Sequence, residues 1–263
     1  MAHAGDAAFS WTSGGVHPEV VAGVLVLGAA WMGAWLIRGE RPARGRAVAF
    51  FAGLAVFVVA VTGPLHDAAE RYLFSAHMLQ HLLLTLVGPP LLLAGTPAWM
   101  GDAILGTGRR ARVARALTRP VPALILYSLA LAGWHFPGPY DAALTTPLWH
   151  AVQHATLVTT ATLAWWPVLG PSTVAPRVHY GAQILYLFAL GMPMTVVAAF
   201  ITGADGLLYT FYADAPRLLP LDALEDQRLG GVIMWVPAGI IPLIAFTAVF
   251  FRWAASERED AVE

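Results

Sequence analysis

The sequence predicts an all-α integral membrane protein with seven transmembrane helices, its amino terminus outside and its carboxyl terminus in the cytoplasm. Three observations predict it. Of 263 residues, 58% are hydrophobic and only 12% charged, too few charges to cover a water-soluble surface of that size. The apolar residues fall into seven long runs, and a hydrocarbon core of about 30 Å asks for about 20 residues per crossing. The fifteen basic residues, all Arg, collect in the connections on one side of those runs. A single membrane domain over 1–263 follows.

The runs are roughly 18–37, 47–66, 76–95, 120–136, 147–169, 180–201 and 229–251. Ahead of the first, the stretch MAHAGDAAFSW has no basic region, so no cleaved signal peptide is expected. Arg38, Arg41, Arg44 and Arg46 lie between the first and second runs. The third contains Gly88-Pro89-Pro90 and the sixth Gly191-Met192-Pro193, breaks that helices in lipid tolerate when neighbours re-satisfy the backbone. Arg109, Arg110, Arg112, Arg115 and Arg119 precede the short fourth run, where an interfacial helix is expected. Arg177 follows the fifth, and Arg252 and Arg258 follow the seventh. Twelve Arg thus share one side, against Arg71, Arg217 and Arg228 on the other, and the twelve-Arg side is expected to be cytoplasmic. Trp31, Trp35, Trp165, Trp166 and Trp253 at inner ends, with Trp134, Trp149 and Trp235 at outer ends, read as two anchoring belts.

Histidine is distributed just as unevenly. His3 and His17 fall in the outer tail and His179 on the inner side, while His66, His77, His81, His135, His150 and His154 all fall at the outer ends of helices two to five. Two of those helices open with the same pattern, His77-Met78-Leu79-Gln80-His81 and His150-Ala151-Val152-Gln153-His154. Residues i and i+4 share a helical face, so each pair presents two imidazoles in one direction. Related sequence precedes each pair, His66-Asp67-Ala68-Ala69 and Tyr140-Asp141-Ala142-Ala143. Segments 47–95 and 120–169 therefore read as a degenerate internal repeat around a shared site.

A lone imidazole at a membrane interface is usually just hydrogen-bonded there. Two His-x-x-Gln-His pairs at one depth point instead to a metal. Imidazole suits copper, zinc, iron and nickel, and nearby thioethers tilt the choice towards copper, as Cu(I). Met78, Met192, Met194 and Met234 are the candidate additional ligands, although a single Met is more often packing. Gln80, Gln153, Asp67 and Asp141 are placed to orient imidazoles. The chain has no Cys, which excludes thiolate sites. The inner halves of the seven helices hold no Asp, Glu, Arg or His, which argues against a proton or ion path through the membrane.

At these residues the sequence resembles the CtaG family of seven-helix assembly factors of caa-type cytochrome c oxidase. The resemblance rests on HMLQHLLLTLVGPPLLLAGTP at 77–97, HFPGPYDAAL at 135–144, HAVQH at 150–154 and DQRLGGVIMWVP at 226–237. It implies a non-enzymatic role in the bacterial plasma membrane: assisting copper insertion into the binuclear centre of the oxidase's catalytic subunit. Nucleic acid is not an expected partner. Two other classes stay open on the residues alone. One is an intramembrane zinc hydrolase with Asp67, Asp141 or Asp226 as general base; the other is a b-type haem protein with axial His from facing helices.

Overall fold

The computed structural model describes residues 9–10, 15 and 18–260, and the tail residues His3 and His17 lie outside them. Among the described residues the chain is helical and contains no strand. In chain order the helices are α1 (Pro18–Arg38), α2 (Arg44–Val61), α3 (Gly63–Arg71), α4 (Phe74–Leu82), α5 (Gly88–Gly95), α6 (Ala98–Leu105) and α7 (Gly108–Leu117). They continue with α8 (Pro120–His135), α9 (Pro137–Thr145), α10 (Pro147–Leu169), α11 (Tyr180–Thr202) and α12 (Ala223–Asp260). Five stretches are long and apolar enough to cross a membrane: α1, α2, the continuous Phe74–Gly95 stretch, α11 and α12. A sixth is the pair α7–α8 taken together, bent by 70°. α10 has 23 residues, but its His, Gln and Thr leave it below the same apolarity.

Local chemistry explains where the sequence pattern and the helices part company. The expected second helix, 47–66, stops at Val61. Thr62 is extended and Gly63 takes φ +71°, a conformation that favours glycine, with Pro64 following in the first turn of α3. His66 therefore sits on a separate nine-residue helix and not at the end of α2. A second nine-residue helix, α9, precedes α10 in the same way. Between α4 and α5, residues Leu83–Val87 form a π-turn in which the Gly88 N–H reaches Leu83 O. Pro89 and Pro90 have no N–H to give the carbonyls four residues earlier. One of those, Thr85 O, accepts instead from Trp165 Nε1 at 3.1 Å. The seventh helix starts six residues earlier and ends nine later than its apolar run, and the Arg-rich segment is the short helix α7.

Phe74–Gly95 is the most buried of the long stretches and forms the bundle's axis. It runs antiparallel to α2, since Gln80 bonds Ala60 O while Gly88 faces Phe57 and Gly95 faces Phe50. It runs parallel to α10, which brings His77 to His150 and His81 to His154. α11 and α12 are again antiparallel, through Gly191 on Ala238 and Gly231 on Thr202. The Arg-rich connections gather at the end away from the histidines. There Arg46 bonds Thr96 O, Arg115 bonds Val174 O, and Gly101 lies so close to Pro171 O that an added Cβ would stand 1.7 Å from it.

Candidate metal centre

The site is built at the other end, by helix starts. No residue of α4 caps its own N-terminus; Asp226 of α12 does so across the bundle. Its carboxylate accepts from the Phe74 N–H at 2.7 Å, from the Ser75 N–H and from the Ser75 hydroxyl. This seats the first two turns of α4, where His77 and His81 stand. With its oxygens committed to that cap, Asp226 serves structure and is poorly placed as a general base.

His66, His77, His81, His135, His150 and His154 all converge. The Nε2 atoms of His77 and His81 are 2.8 Å apart, a separation at which two imidazoles share a proton or a cation. One nitrogen each from His77, His81 and His154 lies within 4.8 Å of the others. His135 is 5.5 Å from His81, ring to ring, and His150 is 4.2 Å from His154. His77 and His81 are wholly buried, and His154 partly so.

Hydrogen bonds assign roles to the ring nitrogens. Tyr212 donates its hydroxyl to Ala69 O at 2.5 Å, so its oxygen accepts the His77 Nδ1–H at 3.3 Å, and a lone pair remains on Nε2. His135 donates Nδ1–H to Leu131 O at 2.7 Å; its Nε2 is buried without a partner among the described residues. His150 donates Nδ1–H to Glu70 at 2.8 Å, and its Nε2 is likewise unpartnered. His81 Nδ1, His154 Nε2 and both amide atoms of Gln153 are also buried without partners among the described residues. His66 differs: Gln80 meets its Nδ1 at 3.0 Å and Glu70 meets its Nε2 at 2.9 Å, so both nitrogens are engaged. Burial pushes the Glu70 carboxyl up, but the hydrogen bonds from His150 and His66 outweigh it and hold the group below the usual carboxylate range.

Such a donor set fits a metal ion. Buried polar atoms without partners are rare and cost about 1–3 kcal/mol each, and here ring nitrogens of His81, His135, His150 and His154 are among them. Two imidazoles on one ion stand at most about 4 Å apart, given metal–nitrogen bonds of about 2.0 Å. A shift under about 1 Å would gather His77, His81 and His154 on one ion. Glu70 behind His150 is the carboxylate–imidazole pairing that fixes a ligand's tautomer.

The remaining residues singled out from the sequence are scattered. Gln80 orients His66. No hydrogen bond or ion pair joins Asp67 or Asp141 to an imidazole among the described residues; Asp141 accepts from Thr210 at 2.9 Å and ties down the 203–222 connection. Met78, Met194 and Met234 lie in the apolar core, Met78 against Gly230, and Met192 is half exposed beside Gly191 and Pro242. His179 caps α11 at the far end, accepting from the Ala182 N–H. Sequence reasoning missed Glu70, although its i+4 spacing from His66 was available. It also missed Tyr209 and Tyr212, whose hydroxyls reach His135 O and His77. Their signal is a Tyr-Thr-Phe-Tyr cluster in an otherwise Asp- and Pro-rich connection.

Fold and site together define a helical membrane protein with a buried multi-histidine centre at one end. Residues 24–256 match the family described as cytochrome c oxidase caa3 assembly factor (Caa3_CtaG), and the chain belongs to that family. Among curated proteins it is similar to uncharacterized proteins of Mycobacterium bovis (Mb0105) and Mycobacterium tuberculosis (MT0111). Each is 27% identical over 256 residues, covering 90% of this chain and 38% of the relative. An uncharacterized protein of Mycobacterium leprae (ML1998) is 25% identical over 237 residues, covering 83% of this chain and 35% of its own length. The chain thus spans less than two fifths of these relatives. No solved structure matches it.

Proposed function

We propose that this caa3 oxidase assembly factor binds copper, as Cu(I), at the outer face of the bacterial plasma membrane and assists its insertion into the oxidase's binuclear centre. The single observation that carries the reading is the trio His77, His81 and His154, buried, with ligand nitrogens inside 4.8 Å. In this reading seven helices cross the bilayer: α1, α2, α4–α5, α8, α10, α11 and α12. The Arg-rich end faces the cytoplasm and the amino terminus faces outside. The antiparallel succession of helices and the twelve-to-three division of Arg support that orientation.

Copper is here a cargo, and the role is not enzymatic. His150 and His154 border a cavity and are the accessible ligands, whereas His77 and His81 are deeper. Glu70 keeps the His150 Nε2 lone pair facing the other rings, and Asp226 keeps α4 seated so that its pair faces α10. Imidazoles without thiolates suit an ion that must leave again. The partner is the catalytic subunit of a caa-type oxidase. Bound metal in the purified chain, compared with a His77→Ala/His81→Ala variant, tests the site. Copper per haem in oxidase from cells lacking the protein tests the delivery. We expect metal in the wild type only, and oxidase with normal haem but depleted copper; a normal copper-to-haem ratio with normal turnover would rule delivery out.

A further inference from the structure

A second feature adjoins the imidazoles without being part of their coordination. Between α1, α2 and α10 lies a cavity of about 1070 Å³, roughly 35 water volumes at about 30 Å³ each. Its walls are hydrocarbon: Val20, Val24 and Leu27 of α1, Leu54 and Phe57 of α2, and Val158 of α10. Water gains nothing in such a space, and in a bilayer the available filler is an acyl chain. Its polar groups are concentrated at the outer end, where His66, Glu70, Arg71, His150 and His154 border it, with the Thr159 hydroxyl further in.

The way α1 is attached keeps the cavity open. Its inner half is seated by Trp31, stacked on Phe50 at 5.0 Å, and by Trp35 edge-on to Trp99 at 5.3 Å, with Trp31 Nε1 bonded to Gly95 O. Its outer half packs through Val24 but has no aromatic anchor among the described residues: a Cβ added at Gly28 would touch Phe51 and Leu54, but one added at Gly23 meets nothing within 4 Å. At the mouth the charges are not matched. The Glu70 carboxylate is taken by two imidazoles, while Arg71, exposed, has no ion-pair partner among the described residues.

We propose that this cavity holds the acyl chains of a phosphate-headed anionic lipid whose phosphate sits against Arg71. The inference rests on the membrane reading and is independent of which metal the histidines bind. The lipid lies along α1, with its head over the His150 side of the imidazole cluster.

The test uses the full chain reconstituted in nanodiscs holding equal amounts of phosphatidylglycerol and phosphatidylcholine, then released and weighed by native mass spectrometry. Wild type should retain phosphatidylglycerol several-fold over phosphatidylcholine. Gly23→Phe, which places a ring in the cavity, should lose retention several-fold. Gly33→Phe, the same change on the same helix beyond the cavity lining, should keep it. Arg71→Gln should keep lipid but lose the headgroup preference. Equal retention by Gly23→Phe and wild type, or no preference in wild type, would overturn the proposal. Metal measured in the same samples separates failure of the lipid site from failure of the metal site.

Discussion

The two ends of the bundle treat their polar groups in opposite ways. At the Arg-rich end most are closed off, Trp35 Nε1 being the exception among the described residues. Asp102 takes the Ser172 and Thr173 hydroxyls and the Thr173 and Val174 N–H groups, and Trp166 Nε1 and Arg115 fill the carbonyls of Ala175 and Val174. At the histidine end, five hydrogen bonds and ion contacts orient His66, His77, His135 and His150, yet lone pairs on His135, His150 and His154 are left facing inward. An unpartnered group in an apolar interior destabilises the fold. The first end is therefore organised for stability, and the second gives up stability, as the proposed copper site would require.

Four tests would break or sharpen that contrast. The largest effect belongs to His150→Ala with His154→Ala, which should abolish metal binding while the protein stays folded in the membrane. His179→Ala, at the closed end, should leave metal content unchanged; a double variant that kept wild-type metal would dissolve the contrast. Next comes Glu70→Gln. Loss of the carboxylate behind a ligating imidazole weakens metal affinity about 10- to 100-fold, so a competition titration should show a drop of that size. Asp67→Asn, which lacks such a contact, should show none.

Third, Gly101→Ala should act on the closed end alone. The new Cβ would meet the Pro171 carbonyl at 1.7 Å, and relieving that overlap costs roughly 1–3 kcal/mol. Thermal unfolding in detergent should shift down while metal affinity stays at the wild-type value; an altered affinity would show that the two ends are coupled. The smallest effect is expected at Asp102. The Ser172 and Thr173 hydroxyls hold its carboxyl down at about 2, from an ordinary 3.8. A depressed folded-state value means its contribution is complete above 3.8 and disappears as pH falls through about 2. The stability gap between wild type and Asp102→Asn should therefore be constant near neutrality and close across that acid window.

Periodicity and composition were enough for several elements. The 147–169 and 180–201 runs became α10 and α11 within a residue, because nothing in them other than Pro167 and Pro193 opposes a helix, and both are absorbed. The paired His-x-x-Gln-His patterns were enough to foresee the histidine cluster, since i and i+4 spacing dictates a shared face. The break at Thr62–Gly63 was harder to see. Its signal is the Gly63-Pro64 dipeptide, which also fits the tolerated breaks of a membrane helix, and the backbone conformation there separates α2 from α3.

What the sequence determined by itself is thus the helical class, the uneven distribution of Arg, and which residue types meet at one end. The tertiary structure decided which of those residues come together and which lie apart. His77, His81 and His154 come together only because α4 and α10 run parallel at matched depth. Glu70 displaces Asp67 and Asp141 as the carboxylate at the site because α3 turns away from α2 and lays its fourth residue after His66 against α10. Tyr212 and Asp226 enter from the far end of the chain, 135 residues from His77 and 151 from Ser75. Spacing along one helix is a local property, set by a pitch that every sequence shares. Contacts between helices depend on register and tilt, which arise from the packing of the whole bundle.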